Sequence, residues 1–116
     1  MKKQIKEIIV KQFKKNSDYS FPELINELKK EGISVEGDQA LLKAENLIIW
    51  DNMNTEFIES LLELEKDEIL KMEPLSKANA LMVYAYSGVT LDLPIADRIE
   101  PYSTPHWIPA IIKKKA

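Results

Sequence analysis

The chain of 116 residues has no cysteine, one histidine and only three glycines, and each scarcity closes off a chemistry. Without thiols there is no disulfide framework, thiolate zinc site, iron–sulfur cluster or cysteine nucleophile, and a reducing, cytoplasmic setting is the natural expectation. The lone imidazole, in Thr104-Pro105-His106-Trp107, excludes most other metal sites. It also leaves any serine without the base and nucleophile elbow that acyl transfer requires, so His106 is expected simply to pack beside Trp107. Phosphate cradling needs glycines clustered where backbone meets ligand, and Gly32, Gly37 and Gly88 are scattered, so neither a P-loop nor a dinucleotide fingerprint exists. The longest unbroken apolar run, Ala80 to Tyr86, is far short of the ~20 residues of a membrane span. Lys6, Glu7 and Lys11 interrupt any apolar stretch behind the basic start at Lys2 and Lys3, so no export signal and no membrane partner is expected.

What is present is the composition of one ordinary globular domain, 45% apolar and 30% charged. The net charge of −3 conceals a segregation of sign: residues 1–15 carry six lysines against one glutamate, Lys113, Lys114 and Lys115 follow at the other end, and the segment between holds 7 basic and 18 acidic side chains. Basic ends enclose an acidic body. Lysine-rich ends serve solubility first and nucleic-acid contact second.

Ile5, Ile8, Ile9, Gln12 and Phe13 recur at helical spacing opposite lysines, which predicts an amphipathic helix over residues 2–15. Ser20-Phe21-Pro22-Glu23 has the form of a capping box, Leu24, Ile25 and Leu28 continue its apolar stripe, and Gly32 is placed to close that second helix. Gln39 to Glu45 are good helix formers behind Asp38 and predict a short third helix. Leu47 to Trp50 read as a buried strand. Asn54 or Thr55 caps a fourth helix with Phe57, Ile58, Leu61, Leu62 and Leu64 as its buried stripe. Beyond Asp67 the rhythm becomes that of strands: Ile69 to Glu73, then Leu81 to Tyr86 after a hairpin loop at 75–79, then Val89 to Leu93. Residues 94–116, punctuated by prolines, are expected to lie extended across the single domain, with Trp107 to Ile112 pairing at a sheet edge.

With 19 carboxylates, some pair must fall at a spacing suited to acid–base work, so Glu56, Glu59 and Glu63 along one helical face are read as its solvated side. No catalytic residue, metal site or cofactor is assigned.

A capped helix carrying Phe57, Leu61, Leu62 and Leu64, followed by Glu68-Ile69-Leu70-Lys71-Met72 and a second strand from Ala80 to Tyr86, resembles the last helix and β-hairpin wing of winged helix-turn-helix domains over about residues 47–86. The resemblance implies an α+β fold with N-terminal helices, then a helix followed by a small antiparallel sheet, and a helix that enters the DNA major groove. Thr55 to Glu68, however, hold six acids and one lysine, a charge of −5, which would repel phosphates, so the groove-reading role is not carried over to them.

Two functions follow. The first is a non-enzymatic interaction module that binds a protein partner or a second copy of itself, with Tyr84, Tyr86, Tyr102 and Trp107 as aromatic anchors. On this reading Trp107→Ala should leave the melting temperature nearly unchanged. The alternative is nucleic-acid binding through the basic first helix and the tail, with Lys2, Lys3, Lys6, Lys11, Lys14, Lys113, Lys114 and Lys115 as phosphate contacts.

Overall fold

In the computed structural model, which describes residues 1–85 and 88–115, the N-terminal half is set by two helices whose ends are written in the sequence. Helix α1 spans Lys2–Gln12 and buries Ile5, Ile9 and Gln12. After a short strand β1 (Asp18–Tyr19), the capping box forms as expected: Ser20 Oγ accepts from the Glu23 amide at 3.2 Å, and the Glu23 carboxylate accepts from the Ser20 amide at 2.8 Å. Helix α2 (Phe21–Lys30) follows, and Gly32, at φ +82°, lets the Ile33 amide return to the Leu28 carbonyl.

The helix expected over Gln39–Glu45 is a strand. β2 (Glu36–Ala44) turns through Glu45 and Asn46 and pairs antiparallel with β3 (Leu47–Met53). Local helix propensity yields here to pairing with a strand that buries Leu47, Ile49, Trp50 and Met53. Asn46 supplies the turn by adopting φ +56°, a conformation asparagine tolerates. At its other end β2 crosses close over the end of β3 at Gly37, where an added Cβ would lie 2.6 Å from the Met53 carbonyl oxygen.

Asn54 caps helix α3 (Thr55–Lys66), its side chain accepting from the Phe57 amide at 2.9 Å. The buried stripe is Phe57, Ser60, Leu61 and Leu64; Leu62, expected inside, is 44% exposed, and Ile58 is half-buried. Ser60 is tolerated in the core because its hydroxyl donates to the Glu56 carbonyl at 2.7 Å. Strand β4 (Leu70–Pro74) comes next, as the sequence predicts.

Of the hairpin loop and second strand expected over residues 75–86, residues 77–85 are helical. Ser76 caps α4 (Lys77–Ala80), which continues as a π-helical turn over Leu81–Ala85, and Tyr86 lies outside the described residues. Pro74 ends β4, the Ser76 hydroxyl accepts from the Asn79 amide at 3.3 Å to start the helix, and Leu81 and Met82 point outward. Val89–Leu93 form no strand. β4 instead finds its partner in the C-terminal segment.

That segment is extended, as expected, but its end is central in a sheet. Strand β5 (His106–Trp107) adds parallel to β3, giving a sheet ordered β2-β3-β5, and β6 (Ala110–Lys114) inserts between β1 and β4 in a second sheet ordered β1-β6-β4. Amides of Leu75, Trp107 and Ile108 donate to the carbonyls of Pro109, Pro94 and Ile48, each at 2.8 Å, and so bind the proline-rich stretch to both sheets. One apolar cluster joins all of these elements, with Trp50 at the centre of an aromatic group: Phe21 and Tyr84 stack on it, and Trp107 tilts against it.

Candidate functional site

The aromatic anchors divide by burial. Tyr84 and Trp107 are 0% and 2% exposed, so neither can reach a partner. Trp107 donates from Nε1 to the Ile49 carbonyl at 3.2 Å. The Tyr84 phenol is pushed well above its usual titration range by burial. Tyr102 is half-buried: its ring stacks on His106 at 3.9 Å, and its hydroxyl accepts from the Asp97 and Arg98 amides at 3.0 and 3.1 Å. It therefore organises a surface loop, and His106, expected beside Trp107, packs on Tyr102 instead. Interior aromatic residues and anchors have the same spacing in a sequence, and only the fold separates them.

The lysines divide by partner. α1 lies along α3, and the carboxylates expected to face solvent meet the amines of α1: Lys2 reaches Glu63 at 2.8 Å and Glu59 at 3.6 Å, Lys6 also reaches Glu63, and the N-terminal ammonium is 3.9 Å from Glu56. The hydrogen bonds from Lys2 and Lys6 lower the Glu63 pKa to about 2, and the Lys2 pKa rises in return. Lys11 pairs with Glu31, Lys113 with Glu73 beside Lys71, and Lys115 with Glu68. Charges segregated along the chain are thus interleaved in space. Of the candidate lysines, Lys3, Lys14 and Lys114 carry no ion pair among the described residues.

Two of these free lysines are brought together. Because β6 runs between β1 and β4, the Lys114 amide donates to the Ser17 carbonyl at 2.8 Å and the Lys115 amide to the Ile69 carbonyl at 3.0 Å, which fixes the lysine tail beside the last turn of α1. There Val10, Phe13, Lys14, Glu68, Ile69, Lys114 and Lys115 line a depression of about 280 Å³. Its apolar floor is accessible: Val10 is 39% and Ile69 36% exposed. Local backbone geometry puts Ile69 there. Glu68 adopts φ +60° at the end of α3, and the Ile69 amide returns to the Leu64 carbonyl at 2.9 Å. This is the closure that Gly32 gives to α2, made here by a residue with a side chain, whose carboxylate holds Lys115 at 3.2 Å. The sequence signals the lysines but not the floor, because Val10 and Ile69 come together only in the folded chain.

A second depression, of about 210 Å³, lies between β2, β3, α3 and β4 and exposes Leu42 and Leu62. Sequence reasoning placed Leu62 in the core and Leu42 on a helix, so it missed this patch. At the adjoining β4 edge the Met72 amide donates to the Glu65 carboxylate at 3.0 Å. Among the described residues no three histidine, aspartate or glutamate side chains gather where a metal ion could be held, and no helix is long and apolar enough to cross a membrane. No family model, characterised protein or solved structure matches the chain.

Proposed function

We propose that the chain is a non-enzymatic interaction module that binds a protein partner, and that the depression between the end of α1 and the end of β6 is its contact surface. The observation that carries this reading is the juxtaposition of half-exposed Val10 and Ile69 with the unpaired lysines Lys14 and Lys114. Adjacent apolar side chains rimmed by charge are the ordinary composition of a binding patch. Tyr84 and Trp107 are buried in the core and Tyr102 is engaged by its own loop, which leaves the anchoring to these aliphatic side chains.

Photo-crosslinking tests the reading. A benzophenone side chain placed at Val10 and activated in the native cell should give a discrete protein adduct, while the same group at Ile99, exposed on the proline-rich loop, should not. Equal labelling from both positions, or none from Val10, would defeat it.

The gathering of Lys14, Lys114 and Lys115 also favours a second reading, in which the same face meets phosphates. It requires duplex or single-strand binding at ~50 mM salt that is lost by ~200 mM and abolished by Lys14→Glu with Lys114→Glu. The absence of any binding at low salt would remove it.

A further inference from the structure

We infer that the occupant of the α1–β6 depression is an acidic segment of a partner protein that inserts one large apolar side chain between flanking carboxylates, an inference that rests on the protein-binding reading above. The floor made by Val10, Phe13 and Ile69 gains nothing from a phosphate but is matched by an aliphatic or aromatic side chain. Its volume of about 280 Å³ lies below the roughly 300–1,000 Å³ that hold drug-sized ligands and leaves room for a side chain.

The rim supplies the charge selection. Among the described residues Lys14 and Lys114 carry no ion pair, and Lys115 is held by Glu68, whose side chain is 76% exposed. Such surface pairs are worth little, so a carboxylate arriving from a partner can take Lys115 from Glu68 at small cost. A basic segment would meet three ammonium groups and be refused.

Backbone pairing does not compete with this mode. The Lys114 and Lys115 amides already donate to Ser17 and Ile69, and at the nearby edge of β4 the Met72 amide donates to Glu65, so recognition there falls to side chains. A nucleic acid is a poorer fit, because a phosphate track needs a row of free cations, and Lys2 and Lys6, which would carry that row along α1, converge on the single carboxylate of Glu63.

The test uses the full chain and three labelled heptapeptides followed by fluorescence anisotropy: one phenylalanine flanked on each side by three acidic residues, the same peptide with alanine at the centre, and its lysine-flanked counterpart. The acidic phenylalanine peptide should bind at low salt. Its affinity should fall about tenfold for the alanine peptide, for Ile69→Asp and for Lys14→Gln with Lys114→Gln, each loss corresponding to about 1.4 kcal/mol. Raising salt from about 50 to about 300 mM should weaken it further, since the rim is solvent-exposed. Circular dichroism on each variant separates lost binding from lost fold. Equal affinity for the acidic and lysine-flanked peptides, indifference to both sets of substitutions, or displacement of the peptide by a single-stranded oligonucleotide at matched charge would each overturn the inference. So would a twofold mass in light scattering that disappears in Ile69→Asp, which would give the socket to a second copy of the chain. If no acidic peptide binds while Val10 still crosslinks to a protein, the partner chemistry inferred here is wrong and the protein-binding reading stands.

Discussion

The Tyr84 hydroxyl donates to the Ala110 carbonyl at 2.5 Å and accepts from the Phe21 amide at 3.3 Å, so one phenol ties the π-helical turn both to the start of β6 and to the start of α2. Its ring meets Trp107 edge-on at 5.1 Å. Tyr84→Phe keeps the packing but leaves a buried amide and a buried carbonyl each short of a partner, and should cost about 1–3 kcal/mol. Trp107→Ala, expected from sequence to leave the melting temperature nearly unchanged, removes a core side chain and should cost about 3–5 kcal/mol. Denaturant midpoints for the two variants check this. A loss below about 0.5 kcal/mol at Trp107 would mean that the aromatic cluster is not packed as described.

Gly37→Ala tests the path of β2. The substitution would place a methyl group 2.6 Å from the Met53 carbonyl oxygen and 2.7 Å from the Asn54 amide nitrogen, and both are backbone atoms that cannot swing aside. The Asn54 amide donates to the Val35 carbonyl at 2.7 Å in the same crossing, so relieving the clash also disturbs the entry to α3. A destabilisation of about 1–3 kcal/mol is expected from such overpacking, where Gly→Ala at an unobstructed, compatible position would instead stabilise by about 0.4–1 kcal/mol. An unchanged melting temperature would show that β2 does not pass over Met53.

Gln12 is the reverse case. It is 1% exposed on the inner face of α1, and among the described residues neither its amide nitrogen nor its amide oxygen has a hydrogen-bond partner. An unsatisfied buried amide costs about 1–3 kcal/mol. Gln12→Leu, similar in volume and apolar, should therefore raise the melting temperature, and a lowered one would count against this placement of the side chain.

Features that depend on neighbours along the chain were legible in the sequence. Ser20 with Glu23, Gly32 and Asn54 act where their spacing places them, because helix caps are local chemistry. Features set by contacts across the fold were not. The helix formers of Gln39–Ala44 became a strand through pairing with β3, and Leu81–Ala85, with the alternation of a strand, became helical behind the Ser76 cap. In α3 Leu61 is fully buried and Leu62 44% exposed, a difference set by the elements that pack on the helix. Of the candidate site, Lys14, Lys114 and Lys115 were visible as charge, whereas Val10 and Ile69 come together only in the folded chain.

The seam between α1 and α3 predicts how stability depends on pH. Lys2 and Lys6 hold the Glu63 carboxyl at a pKa of about 2 in the folded state, below its ordinary 4.5. Glu73, lowered by Lys71 and Lys113, adds to the same trend. A carboxyl whose pKa falls on folding binds fewer protons in the native than in the unfolded chain, so its contribution is fully present above about pH 4.5 and is lost as pH falls toward 2. Glu63→Gln should consequently flatten the acid limb of a plot of melting temperature against pH over that window, with little change in its slope above pH 5. Salt should weaken the same limb, since Lys2 and Glu63 side chains are 41% and 39% exposed. An acid limb as steep in Glu63→Gln as in the parent chain would mean that the pairs of Lys2 and Lys6 with Glu63 contribute nothing to holding α1 on α3, and would return those two lysines to the reckoning as phosphate contacts.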